Sequence, residues 1–215
     1  AGYQVVYGIE QVDALAGAEK MLLLQDKERD FMDALPYAID RKESDMTHAD
    51  IISVAVDFLD NEKGFFLMSE SGRIDWACHS NDGKTLILEI LDLNDAVQVA
   101  VEFAQKHPGE TLIVVTADHE TGGLALGLEN GYSVYFDALA EQNASKDILL
   151  QARDMELVKQ VREMNFKARI GWTTSSHTGI PVPVYATGSG SELFSGRMDN
   201  TDIPKKICQA MGIPF

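Results

Sequence analysis

The chain has 215 residues, and 18 Lys+Arg against 34 Asp+Glu give a formal net charge of −16. With 45% hydrophobic residues, 17 Gly and 6 Pro, the composition is that of a folded globular protein and excludes a disordered or collagenous chain. The acidic balance argues against nucleic acid as a partner, because phosphate neutralisation needs surplus Lys and Arg, whereas carboxylates suit metal cations.

The length fits one domain, able to bury roughly 70% of the surface it would expose unfolded. The longest apolar runs, Met21–Leu24 and Leu112–Val115, fall far short of the about 20 residues that span a bilayer. No positively charged start followed by an apolar run is visible, so no signal peptide is legible. Two cysteines, Cys78 and Cys208, allow one disulfide but do not fix the redox compartment.

In chain order, residues 14–25 read as a helix or buried segment interrupted by Gly17, and residues 36–45 as polar and irregular. Thr47 suits the N-cap of a helix running through Asp60, with Ile51, Ile52, Val54, Ala55, Phe58 and Leu59 on its apolar face. Phe65, Phe66, Leu67 and Met68 then form an unbroken apolar run suited to a buried strand. Residues 86–91 read as a short strand or the start of a helix. Asp92 or Asn94 would cap a helix whose stripe is Ala96, Val97, Val99, Ala100, Phe103 and Ala104. His107-Pro108-Gly109 ends it, and residues 111–115 are a β-branched strand.

Helix followed by strand, twice, predicts an α/β fold with a parallel sheet, in which sites form at the carboxyl edge of the strands. From Gly127 to about Ala168 the character changes, and residues 128–168 read as an insertion, with a strand at 132–136 and a charged helix over 148–164. A strand with edge prolines at 181–186 and a last helix near 203–211 follow.

Three clusters can carry chemistry. Glu70-Ser71-Gly72-Arg73-Ile74-Asp75-Trp76-Ala77-Cys78-His79 follows an apolar run, and Asp75 and His79, four apart, share one side of a helical turn. Thr116-Ala117-Asp118-His119-Glu120-Thr121-Gly122-Gly123 follows another, and at a turn Asp118 and His119 can converge on one ion. His177 stands in Thr173-Thr174-Ser175-Ser176-His177-Thr178-Gly179.

Zinc takes imidazole nitrogen and carboxylate oxygen, and its catalytic sites keep one position open. Asp75, His79 and His177 make three such ligands, Asp118 and His119 two of a neighbouring ion, and Glu70 suits magnesium, a harder cation. Taken singly, each cluster is more simply read as turn and loop chemistry. His48, in the first turn of a helix, and His107, at a helix end, are not read as ligands. Gly188-Ser189-Gly190 suffices as a tight turn. Cys78 reads as a small buried thiol, and Trp76 as core or as cover for the site.

Jointly, Glu-Ser-Gly-Arg-Ile-Asp-x-x-x-His, Thr-Ala-Asp-His-Glu-Thr-Gly-Gly and His-Thr-Gly, in that order, closely resemble the bacterial alkaline phosphatases, from about Lys42 to the C-terminus. The resemblance implies a three-layer α/β sandwich with a mostly parallel central sheet, two zinc ions and one magnesium, and hydrolysis of phosphate monoesters. It also implies a homodimer and a periplasmic or secreted location. Asp75, His79 and His177 then look like ligands of one zinc, Asp118 and His119 of the other, and Glu70 of magnesium. Trp76 falls where the family varies, often with a charged or imidazole group near the third metal.

The family's nucleophile is a serine in an Asp-Ser-Ala-type motif upstream of the segment matching Glu70. This chain has no Asp-Ser-Ala and only 69 residues before Glu70, so it resembles the C-terminal portion of such an enzyme and is expected to lack turnover alone. In the complete enzyme the resemblance implies in-line attack by that serine. The Asp118/His119 zinc would assist the nucleophile, and the Asp75/His79/His177 zinc the leaving oxygen and then water. The alternatives are a non-catalytic zinc-binding fragment, and a related phosphodiesterase or cofactor-independent phosphoglycerate mutase. Glu70 five residues before Asp75, with Gly72 between, favours the phosphomonoesterase branch.

Overall fold

Residues 2–15, 17–25, 34–128 and 132–215 are described in a computed structural model. Helix α1, His48–Leu59, starts at the expected cap. Thr47 Oγ1 accepts the Asp50 amide at 3.0 Å while the Asp50 carboxylate accepts the Thr47 amide at 2.8 Å, so two orphan donors of the first turn are satisfied. Its buried Ile52 and Val56 pack on Ala96, with Phe65, Leu67, Val99 and Phe103 around them.

Phe65 and Leu67 turn towards this cluster while Phe66 and Met68 are exposed. Residues 65–68 thus alternate as a strand would, yet they join no ladder among the described residues.

Helix α2, Gly72–His79, is followed at once by α3, Gly83–Lys106. The strand-to-helix boundary expected over residues 86–94 does not exist, because Asp82 caps α3 ten residues earlier than Asp92. Asp82 is buried and accepts the Thr85 amide, the Thr85 hydroxyl, the Gln142 side-chain amide and the Lys146 amide. Asp92 instead stands inside the helix and pairs with Arg41 at 2.8 Å. His107 closes α3 and stacks on Phe103.

The expectation of a mostly parallel central sheet is overturned. The chain runs out along β3 (Leu112–Val115), β4 (Glu120–Thr121) and β5 (Leu124–Leu126). It returns along β6 (Ile170–Trp172), β7 (His177–Thr178) and β8 (Tyr185–Gly188). The pairs β3–β8, β4–β7 and β5–β6 are all antiparallel, nested like the two arms of one long bent hairpin. Helix-then-strand order does not say which strands become neighbours; here the neighbour is the returning chain, which runs in the opposite sense. The one parallel pair among the described residues joins β1 (Gln4–Tyr7) and β2 (Met21–Leu24).

Other boundaries move for local reasons. The segment 14–25 contains strand β2 rather than a helix, a four-residue apolar run being ambiguous until it finds a partner; Ala16 lies outside the described residues. In place of a strand at 132–136 there is a 3₁₀ turn, Phe136–Leu139. The helix expected over 148–164 is two, α4 (Lys146–Gln151) and α5 (Met155–Lys167). They are separated by Arg153 at φ 57° and by Asp154, whose side chain caps α5.

The strand expected at 181–186 lies at 185–188, past both prolines, and α6 is Asp202–Met211. Both cysteines are free thiols. Among the described residues no helix is long and apolar enough to cross a membrane.

Candidate metal centre

Asp75 and His79 project from one side of α2, and His177 comes from β7, where it lies opposite Thr121 of β4. The antiparallel return of the chain therefore brings His177 to α2 across about a hundred residues. His79 Nε2 lies 3.2 Å from His177 Nε2 and 3.3 Å from Asp75 Oδ2; His177 Nε2 is 3.8 Å from Asp75 Oδ1. The three side chains each offer one ligand atom within 4.8 Å of the others and remain open to solvent, with His177 51% exposed.

The donor set fits a cation. His79 Nδ1 is 2.7 Å from the Ser175 carbonyl, which can only accept, so Nδ1 carries a proton and in the neutral imidazole Nε2 presents a lone pair. That lone pair converges on a carboxylate oxygen and a second imidazole. Ligand atoms at zinc distances of about 2.0–2.2 Å in a tetrahedron stand roughly 3.3–3.6 Å apart, close to the 3.2–3.8 Å spacing here. The carbonyl on Nδ1 is the kind of outer partner that orients a ligating histidine.

The second expected pair sits beside the first. The His119 ring stacks on His177, centroids 3.6 Å apart and 22° between planes. Asp118 Oδ2 lies 3.2 Å from His119 Nε2, and Asp118 is the most open of these side chains. Glu70 is exposed on the run before α2 and is not part of the trio.

Two residues within the quoted motifs, to which the sequence assigned no role, complete the geometry. The Thr121 hydroxyl donates to Asp75 Oδ1 and lies 3.2 Å from His119 Nδ1, so it touches both the trio and the Asp118/His119 pair. Gly122, at φ 89°, lets the chain pass under the Trp172 ring, where a Cβ would come within 2.7 Å of a ring carbon. Its amide donates to the Ser176 carbonyl at 3.0 Å, fixing the loop before His177.

Of the residues between Asp75 and His79, Ala77 and Cys78 are buried and Trp76 is exposed. Cys78 packs with Tyr37, Ala77 and Leu86, and burial, helped by the negative charges of Asp75 and Glu120, pushes its thiol up to about 12. It packs into the core and is not grouped with the trio. Trp76 covers Arg73 rather than the trio: the guanidinium lies between the rings of Tyr37 and Trp76, at 4.4 and 4.5 Å, and its Nε donates to the Leu35 carbonyl at 2.7 Å. His48 is buried, its Nε2 2.7 Å from Ser69 Oγ.

The family model described as alkaline phosphatase matches residues 29–213. Alkaline phosphatase 3 of Bacillus subtilis is 33% identical over 82% of this chain and 46% of its own length. Streptomycin-6-phosphate phosphatase of Streptomyces griseus is 30% identical over 70% of this chain and 30% of its own. Among solved structures, the cold-active alkaline phosphatase of Shewanella sp. superposes with a TM-score of 0.81 at 29% identity, covering 98% of this chain and 60% of that one. The chain thus spans half or less of the length of the curated relatives it matches. With its α/β sandwich, its motifs and its matches in agreement, the chain belongs to the alkaline phosphatase family.

Proposed function

We propose that the chain supplies metal-holding residues to a phosphomonoester hydrolase of the alkaline phosphatase type. The observation that carries this reading is the convergence of Asp75 and His79 from α2 with His177 from β7, one ligand atom of each lying within 4.8 Å of the others. A zinc ion held there supplies Lewis-acid stabilisation of negative charge on a phosphoryl or leaving-group oxygen. Asp75 offsets part of the cation's charge and is itself held by the Thr121 hydroxyl. His79 keeps its proton on Nδ1 against Ser175, so its other nitrogen remains a neutral donor.

In the same reading Asp118 and His119 hold the second zinc and Glu70 the magnesium. Residues 128–168 are an insertion, of which 129–131 lie outside the described residues. Family membership supports small phosphate monoesters as substrates, a homodimer, and a periplasmic or secreted location.

The test uses the zinc- and magnesium-loaded chain, by itself and mixed with the portion of a relative that the match leaves uncovered. Expected are negligible release of p-nitrophenol by the chain alone and restored release from p-nitrophenyl phosphate in the mixture, lost in Asp75→Ala. Faster cleavage of bis(p-nitrophenyl) phosphate than of the monoester would favour a phosphodiesterase instead. A mixture that stays silent while binding zinc would leave a passive zinc-binding domain.

A further inference from the structure

The α2–α3 turn, residues 80–82, directly follows His79 and is gripped from two sides. On one side, the Lys146 ammonium donates to the Ser80 carbonyl at 2.7 Å and the Ser80 hydroxyl donates to Asp147. On the other stands Asn81, whose side-chain amide donates both to the Cys78 carbonyl and to the Thr174 carbonyl, each at 2.9 Å.

Asn81 also sits at φ 53°, the left-handed conformation that commonly follows a helix end, where glycine and asparagine are the favoured residues. Glycine would serve the backbone equally well. The amide does something glycine cannot: it joins the last turn of α2 to the loop that carries His177, one residue from the carbonyl that holds His79 Nδ1.

We infer that Asn81 is a positioning residue for the metal centre, its amide clamping the 174–175 backbone against α2 so that Ser175 holds the proton on His79 Nδ1. The inference rests on the metal-centre reading above. Without the clamp the Ser175 carbonyl is free to drift, His79 samples both tautomers, and the spacing between His79 and His177 loosens. Loss of an outer partner of a ligating histidine typically lowers metal affinity about 10–100-fold. Asn81 touches no ligand atom, so its effect runs wholly through the backbone it holds.

The experiment compares the wild-type chain with Asn81→Gly, which keeps the left-handed backbone, and Asn81→Asp, which places an acceptor against two carbonyls. Zinc dissociation constants come from competition with a chromophoric chelator. The His79 tautomer is read by long-range ¹H–¹⁵N NMR of the zinc-free protein at pH 8.5. Expected are a His79 resonance pattern of the Nδ1–H tautomer in wild type, a mixed pattern in Asn81→Gly, and zinc binding weakened at least tenfold in both variants. Asn81→Gly is expected to keep a cooperative thermal transition.

A wild-type His79 protonated mainly on Nε2 overturns the inference without any variant. So does zinc binding within twofold of wild type in a folded Asn81→Gly. Wild-type protein that takes up no zinc would instead sink the metal-centre reading, a separate outcome.

Discussion

His119 lies face to face with His177, ring centroids 3.6 Å apart, although one belongs to the outgoing arm of the nested hairpin and the other to the returning arm. The contact puts the Asp118/His119 pair and the Asp75/His79/His177 trio side by side. Thr121 joins them chemically. Its hydroxyl donates to Asp75, so the same oxygen can accept from His119 Nδ1, while His119 Nε2 faces the Asp118 carboxylate at 3.2 Å.

Thr121→Val keeps the shape of the side chain and removes the hydroxyl. It frees Asp75 Oδ1 and takes the partner from His119 Nδ1. Zinc affinity at the trio is expected to fall about 10-fold or more, as for other outer partners of metal ligands. Isothermal titration of the variant with zinc checks this; an unchanged dissociation constant would show that Asp75 needs no such support.

Asp82 is the hub that fixes the start of α3 and docks residues 142–146 onto it. Asp82→Ala leaves four donors without their acceptor in a site that is 1% exposed. Each unsatisfied buried group costs about 1–3 kcal/mol, so a loss of at least about 3 kcal/mol in unfolding free energy is expected. Urea denaturation measures it. A loss below 1 kcal/mol would mean that water replaces the carboxylate.

Glu89 on α3 is buried and accepts the Ala38 amide at 2.6 Å. Burial raises its pKa above the ordinary 4.5, the Ala38 hydrogen bond opposing the shift. Because the folded pKa is raised, the favourable contribution is present in full below about pH 4.5 and is lost as pH rises through the folded value. Glu89→Gln retains an acceptor for Ala38 and carries no charge. It is expected to be more stable than wild type at pH 8, with the difference shrinking towards pH 4. Equal stability profiles across that range would contradict the assignment.

The clustering of Asp75, His79 and His177 is legible because its two segments carry type and spacing at once: Asp75 and His79 one helical turn apart, and His177 in its own Thr/Ser-rich loop. Helix α1 was legible from Thr47 and Asp50, which satisfy each other locally. The sheet was not. Whether Leu112–Val115 pairs with a parallel strand or with Tyr185–Gly188 depends on how the distant chain returns, and periodicity holds no information on partner choice. The start of α3 is not legible because two of the donors to Asp82, from Gln142 and Lys146, reach it only through tertiary contacts. Thr121 and Asn81 stood in plain view, yet a hydroxyl and an amide gain meaning only from the atoms that fold against them.

The central claim is that Asp75, His79 and His177 jointly hold one metal ion. Zinc K-edge X-ray absorption of the chain loaded with one equivalent of zinc reads the ligand types directly. The account predicts a nitrogen/oxygen shell at about 2.0–2.2 Å with outer scattering from two imidazoles. A sulfur shell near 2.3 Å, or scattering from no imidazole, would contradict it.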